Sequence, residues 1–260
     1  MTPVALPTAA GRRARWKLAL AWLAAIITFV FLCSLGVWQL ERRVWKLDLI
    51  ERVEQRVRAA PVAAPGHEDA ALFSTADEYR HVRVSGRFLH QHETLVQAVT
   101  EYGTGYWLMT PLRTDSGLIV LINRGFVPPD KRDAASRPAG QVEGNVVIAG
   151  LMRLPEGNAG FLRHNDPVAD RWYARDVNAI GAARGLVEVA PYFVDADGTP
   201  NPGGWPIGGL TVVHFSNNHL IYALTWFALA LMLAVGLLFA MAAEHGLRAP
   251  HARTNLPREI

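Results

Sequence analysis

Leu18 to Leu40 runs almost without polar side chains, broken only by Thr28, Ser34 and Gln39, and Leu220 to Ala243 repeats the pattern with only Tyr222 and Thr225. Each run exceeds the ~20 helical residues that cross a ~30 Å hydrocarbon layer. Neither has the polar face that a helix on a soluble core shows to water. The two runs therefore predict a pair of membrane-spanning helices, and no other feature constrains the fold as strongly. Trp16 and Trp38 lie about 22 residues apart, or ~33 Å along a helix, so both rings fall near interfaces. Trp205, Tyr222 and Trp226 gather around the start of the second run. The first run is longer than the apolar part of a secretory leader. It leaves through Gly36-Val37-Trp38-Gln39-Leu40, which offers no cleavage site, so a retained anchor is expected.

Lysine and arginine near the span ends set the orientation. Arg12, Arg13, Arg15 and Lys17 precede the first span, and Arg248, Arg253 and Arg258 follow the second. Between Gly185 and His219 there is neither Lys nor Arg. Arg42, Arg43, Lys46, Arg52, Arg56 and Arg58 argue the other way, but a long domain can cross despite such charge, so the second span decides. The expected layout is a cytoplasmic tail (1–17), a span (18–40), an extracytoplasmic domain (41–219), a second span (220–243) and a cytoplasmic tail (244–260). The net charge of +3 is then mostly a topology signal. No basic face clusters on the domain, which speaks against a nucleic-acid partner. The single cysteine, Cys33, lies within the first span, so no disulfide braces the domain.

Beyond the first span, Leu40, Val44, Leu47, Val53 and Val57 recur at helical spacing between charges, which predicts an amphipathic helix over 41–58. Ala59-Ala60-Pro61 ends it, because proline disfavours helix just before itself. Residues 61–75 read as a loop. Strands are expected at 81–85, 94–97, 106–112, 118–123, 146–154, 171–175, 191–194 and 211–215, punctuated by Gly, Asp and Pro. A short helix over Asp176–Arg184 has Asp176 as its cap. Residues 128–140 read as a solvated loop. The fold class is a membrane α-helical hairpin with an α+β, mainly antiparallel β, extramembrane domain, its strands forming an antiparallel sheet or open barrel.

Familiar catalytic signatures are missing: there is no G-x-S-x-G, H-E-x-x-H, C-x-x-C, P-loop or G-x-G-x-x-G. The chain reads as a non-enzyme. Asp195-Ala-Asp197-Gly198 starts like a calcium loop but lacks its later ligands, so it reads as a turn. His90-Gln91-His92 offers two imidazoles, too few for a tight metal site. His219 is more informative. It follows Ser216-Asn217-Asn218, a run of good cap residues, and shares a helical face with Tyr222, Ala223 and Trp226. Such an imidazole can be an axial haem ligand or simply a solvated interfacial residue. Opposite it, the outer end of the first span presents Gly36, Trp38, Gln39, Arg42 and Arg43. The arginines can pair with carboxylates such as haem propionates, or anchor the helix among lipid headgroups.

These segments, taken in order, resemble the Surfeit locus protein 1 family. The matching stretches are Gly36-Val37-Trp38-Gln39 with Arg42, Arg43, Trp45 and Lys46; Gly86-Arg87-Phe88; and Gly105-Tyr106 with Thr110-Pro111. They continue through Asn123-Arg124-Gly125-Phe126-Val127-Pro128, Asn165-Asp166-Pro167, Trp172-Tyr173 with Arg175-Asp176, and Asp195-Ala196-Asp197. Pro206-Ile207-Gly208-Gly209 then leads into Asn218-His219-Leu220 with Tyr222 and Thr225-Trp226. The resemblance implies an assembly factor for haem-copper cytochrome c oxidase, a chaperone of the respiratory chain that binds haem a or aids its insertion into subunit I. It implies His219 as ligand to the haem iron; combined with the shared helical face, this makes Trp226, Tyr222 and Trp38 the expected pocket walls, with Arg42 or Arg43 on the propionates. The implied partners are oxidase subunit I, haem a synthase or other assembly factors, and the lipid bilayer. The implied place is a bacterial inner membrane with the domain in the periplasm. Leu210, Val212 and Ile221 depart from polar residues frequent in the family. A membrane-bound haem handler suits the long apolar tail of haem a, which needs shelter from water.

Other classes fit less well. A two-span sensor needs a cytoplasmic output module, and about 17 residues after Ala243 are too few for a domain. A copper chaperone wants Cys or Met clusters, whereas Cys33 is isolated and the five methionines are dispersed. A hydrolase lacks a nucleophile–base pair.

Overall fold

The computed structural model describes residues 9–70, 73–157, 163–213 and 215–248. The chain divides into two compact units, one holding the described residues up to Leu49 and from Phe215 onward, the other Ile50–His214. The elements run α1 (Ala9–Arg58), β1 (Val62–Ala63), α2 (His67–Ala70), β2 (His81–Phe88), β3 (Thr94–Thr100) and β4 (Gly103–Thr114). They continue with β5 (Ile119–Val127), β6 (Asn145–Arg153), α3 (Val177–Ala183), β7 (Val189–Ala196) and α4 (His219–Arg248). Residues 1–8 and 249–260 of the two expected tails lie outside the described residues.

Among the described residues, two helices are long and apolar enough to cross a membrane, within Trp16–Arg58 and His219–Ala243. The hydroxyls of the first run are satisfied locally, Thr28 donating to the Ala24 carbonyl at 2.9 Å and Ser34 to that of Val30 at 2.8 Å. Such bonds within the helix remove the cost of placing a bare hydroxyl in hydrocarbon. The expected amphipathic helix over 41–58 forms as the continuation of the first span, because α1 runs unbroken to Arg58. Its last turns are supported by pairs one turn apart, Arg58 with Glu54 at 3.2 Å and Gln55 with Glu51 at 3.3 Å. Val53, within this stretch, is buried.

The second unit is a mixed sheet rolled into a barrel. The strand order is β1-β2-β6-β7-β5-β4-β3, and an additional β2–β4 pairing closes a ring of β2, β6, β7, β5 and β4. Closure occurs at Gly86–Phe88 against Leu112–Thr114. A Cβ on Gly86 would run into the Arg113 carbonyl, so this glycine permits the two backbones to meet. Closing the ring removes edges that would otherwise expose unpaired backbone groups. The mainly antiparallel expectation holds, with two exceptions: β1 pairs β2 in parallel, and β5 pairs β7 in parallel. Strand β5, between β4 and β7, is buried along its whole length, as strands covered on both faces are.

Alternation along the strands makes two cores. Val82, Val84, Val120, Ile122, Met152, Tyr192 and Val194 face one way. Leu121, Phe193, Met109 and Val96 face the other and pack with Trp172 and with Val177 and Ile180 of α3. Helix α3 starts as expected, with the Asp176 carboxylate accepting from Ala179 N at 3.0 Å.

Several expectations fail for identifiable reasons. Residues 61–75 hold β1, α2 and a single helical turn at Thr75–Asp77, capped by Ser74, rather than a bare loop. No strand forms over 171–175. Trp172 makes one isolated bridge to Val96, and Asn165 Oδ1 takes the N–H groups of Tyr173 and Ala174. The described part of 211–215 is also not a strand; His214 lies outside the described residues. The solvated loop at 128–140 is three short helical turns, and Arg137 within it is buried.

Candidate functional site

In the first unit, His219 opens α4 and is half-buried. Its Nδ1 lies 2.8 Å from Oε1 of Gln39 on α1. One turn deeper, Ala223 is only 1% exposed, and Ala230 continues the same packed stripe. Gly36 meets the ring of Phe227, where a Cβ would sit 2.5 Å from the nearest ring carbon. Residue 39 thus pairs with 219, and residue 36 with 227, so the helices run antiparallel. The missing side chain at Gly36 allows a close approach, as small residues do between membrane helices.

Other sequence-predicted residues lie around this pair. Gln39 and Arg43, one turn apart, are half-buried, as is Trp226. Trp38 is 53% exposed and Tyr222 54%. Arg42 is exposed and lies over the Trp45 ring at 4.2 Å, and Lys46 lies over Phe215 at 5.0 Å. The structure therefore brings His219 and Gln39 into direct contact. Gln39 is a residue the sequence reading noted without giving it a role. Its signal was available: it is one of few polar side chains in a span, where such residues tend to be functional.

The residues present suit an axial ligand. Nδ1 of His219 is engaged by an amide, and its Nε2 makes no hydrogen bond among the described residues.

The second unit carries two buried polar clusters that motif reading missed. Asp195, read as part of a turn, is 3% exposed and ends β7 inside the domain. Its carboxylate accepts from Asn123 Nδ2 at 2.7 Å, Arg153 Nη1 and Arg175 Nη1 at 2.9 Å each, and Thr211 Oγ1 at 3.0 Å. Arg175 is bound further by Glu156, and its guanidinium lies 4.8 Å over the Phe193 ring. Burial would lower the Arg175 pKa, but the charges of Asp195 and Glu156 and their hydrogen bonds raise it. Beside this hub is a cavity of about 440 Å³ walled by Trp107, Val99, Leu210 and Val212.

The other cluster is built on Glu93, which receives Arg137 Nη2 at 2.6 Å, Gln141 Nε2 at 3.3 Å and Thr110 Oγ1 at 3.3 Å. Burial would raise the Glu93 pKa. Hydrogen bonds with His90 and Arg137, with the charges of Arg137 and Arg124, outweigh that and hold it at about 2. Burial brings Arg124 down to about 10, against the pull of Glu93 and with the push of Arg137. His90 is spent within this cluster, bonding Glu93 at 3.2 Å and the Val142 carbonyl at 2.9 Å. Among the described residues there is no group of three or more His, Cys, Asp or Glu able to hold a metal ion.

These features define a membrane-anchored protein in which two apolar helices flank a closed, mainly antiparallel β domain. The SURF1 family profile matches residues 26–231, and the chain belongs to that family. It is 39% identical to Surfeit locus protein 1 of Xenopus tropicalis over 228 residues, covering 81% of this chain and 72% of that protein. It is 38% identical to Surfeit locus protein 1 of Homo sapiens over 228 residues, covering 81% of this chain and 74% of the relative. A SURF1-like protein of Monosiga brevicollis is 36% identical over 246 residues, covering 88% of this chain and 90% of the relative.

Proposed function

We propose that this protein is an assembly factor for haem-copper cytochrome c oxidase that holds haem a, or aids its insertion into subunit I, at the helix face carrying His219. Membership of the SURF1 family supports the assembly role. The observation that carries the haem reading is the half-buried His219 imidazole, engaged through Nδ1 and with no hydrogen bond at Nε2 among the described residues. Haem iron takes a neutral imidazole nitrogen as axial ligand. Trp226 lies one turn beyond Ala223 on the same helix, and Tyr222 and Trp38 present aromatic surface at the level of the lipid headgroups. Arg43, half-buried one turn from Gln39, is better situated for a propionate than Arg42, whose guanidinium lies over Trp45. The domain lies in the bacterial periplasm and both tails in the cytoplasm, with subunit I and haem a synthase as partners.

The test is an optical spectrum of the full-length protein co-expressed with haem a biosynthesis, compared with His219→Ala and His219→Met. Loss of the haem signal in the first and a shifted spectrum in the second, with both proteins inserted at normal level, is the expected result. An unchanged spectrum at full occupancy would reject His219 as ligand and leave scaffolding of an oxidase intermediate as the family role. Lower oxidase haem content in the variants, at normal protein level, separates a haem role from scaffolding.

A further inference from the structure

We propose that Gln39 is a positioning residue for His219: its amide oxygen fixes the imidazole as the Nδ1–H tautomer and directs the electron pair to Nε2. The tautomer follows from the 2.8 Å approach of Gln39 Oε1 to Nδ1. An amide oxygen has no proton to give, so the ring must supply it. A neutral imidazole protonated at Nδ1 presents its lone pair at Nε2 and nowhere else. The bond is partly buried between two helices, where it is stronger than in water.

The backbone frame makes this bond a fixed feature. Gln39 lies one turn from Gly36 on α1, and His219 one turn from Ala223 on α4, and both of these small residues are buried in the helix contact. Gly36 against Phe227 sets how closely the helices approach, and that spacing brings a glutamine within reach of the ring. Metal-bound histidines ordinarily donate their second N–H to an oxygen that orients the ring. Gln39 supplies that oxygen without a charge. The contact thus orients the ring before any ligand arrives. The purpose of this arrangement rests on the haem reading; the tautomer itself does not.

The experiment uses the full-length protein in detergent, haem-free, with ¹⁵N-labelled histidine. Among nine histidines, His219 is assigned by its loss in His219→Ala. A protonated Nδ1 and an unprotonated Nε2 are expected in the wild type. Gln39→Leu keeps the side-chain volume and should release the ring to a mixture of tautomers. A wild-type ring protonated at Nε2, or one unaltered in Gln39→Leu, overturns the proposal. In protein loaded with haem a, Gln39→Leu should weaken retention by about 10–100-fold. Unchanged retention together with a lost tautomer preference would defeat the positioning role. Because the tautomer is read without haem, a failed haem reading would show in the His219→Ala spectrum while the tautomer result stood.

Discussion

Asn123 and Asp195 stand directly opposite one another on the parallel strands β5 and β7, and the amide of the first donates to the carboxylate of the second at 2.7 Å. The same Asn123 accepts the Gly125 N–H at 3.2 Å, a local bond within β5. Asp195 in addition receives Arg153, Arg175 and Thr211, so one carboxylate joins β5, β6, β7, the approach to α3 and the segment after Gly209. Removing it would leave Glu78 and Glu156 as the carboxylate partners of Arg153 and Arg175 among the described residues.

Asp195→Ala should therefore lower the stability of the domain by about 3–5 kcal/mol, the usual cost of breaking a buried ion cluster from one side. Asp195→Asn keeps the shape and one acceptor oxygen and should cost less. Denaturant unfolding of the purified full-length protein, followed by the fluorescence of buried Trp172, measures both. A loss under about 1 kcal/mol for the alanine variant would mean that Glu78 and Glu156 suffice to hold the two arginines.

Gly125 lies two residues beyond Asn123 along β5 with φ +125°, a region that L side chains rarely adopt. A Cβ there would also overlap the Ile207 carbonyl, which accepts the Phe126 N–H at 2.8 Å. Gly125→Ala combines backbone strain with a backbone collision that no rotamer relieves. The expected outcome is failure to accumulate folded protein, read as protease sensitivity of the domain in membranes. Normal protease resistance would show that the 206–209 segment can retreat from β5.

The two spans, the β domain and the α3 cap were legible because each has a local cause: an unbroken apolar run, period-two alternation, or a carboxylate placed to receive a helix N–H. Asp195 was not, since Asp-Ala-Asp-Gly has the composition of a turn and its burial depends on strands brought together by closure. Arg137 was misread for the same reason; a stretch rich in Pro, Ser and charge looks solvated until Glu93, distant in sequence, receives its guanidinium. The absence of strand at 171–175 reflects competition from Asn165, which takes the backbone N–H groups a strand would need. At the candidate site His219 was visible, whereas its contact with Gln39 required knowing which faces of the helices meet.

Topology can be tested directly. The approach to the second span lacks Lys and Arg from Gly185 to His219, while Arg248, Arg253 and Arg258 follow it. Reporter fusions at Asp130 and at the C-terminus should be active in opposite compartments, the latter in the cytoplasm. Activity on one side only would mean that α4 does not cross.

Glu93 makes the domain sensitive to acid. Its pKa is about 2 in the fold against 4.5 for a free glutamate. A depressed carboxylate contributes stability that is complete above the unfolded value and is lost as pH falls through the folded one. Between pH 6 and pH 3 this single group should account for about 2 kcal/mol. Urea unfolding at the two pH values should show that drop, and Glu93→Gln should remove it from the pH dependence while lowering stability at pH 6. Equal pH dependence in the two proteins would exclude Glu93 as the acid-sensitive group.

His81 works in the opposite direction, at the point where α1 ends. Its Nδ1 lies 2.8 Å from the Ala59 carbonyl and its Nε2 2.8 Å from Asp197 Oδ2. A carbonyl and a carboxylate both only accept, so satisfying the two requires protons on both nitrogens, the imidazolium form. Burial opposes that charge, but the bonds to Ala59 and Asp197 and the Asp197 charge outweigh it, and the pKa rises above 6.5. The neighbouring charges around this cleft are Arg56, Arg80 and Asp77, none of which has an ordinary pKa between about 6 and 9. A raised histidine contributes stability that is fully present below about 6.5 and is lost as pH rises through the folded value. The latch between Ala59 and β2 should therefore loosen on going from pH 6 to pH 9. Hydrogen exchange of the Ala64 N–H, which bonds to the Arg83 carbonyl at 3.0 Å beside the latch, reports it without unfolding the barrel. After correction for intrinsic rates, protection should fall with rising pH in the wild type and stay flat in His81→Gln. A wild-type profile as flat as that of the variant would mean that the end of α1 is held by packing alone.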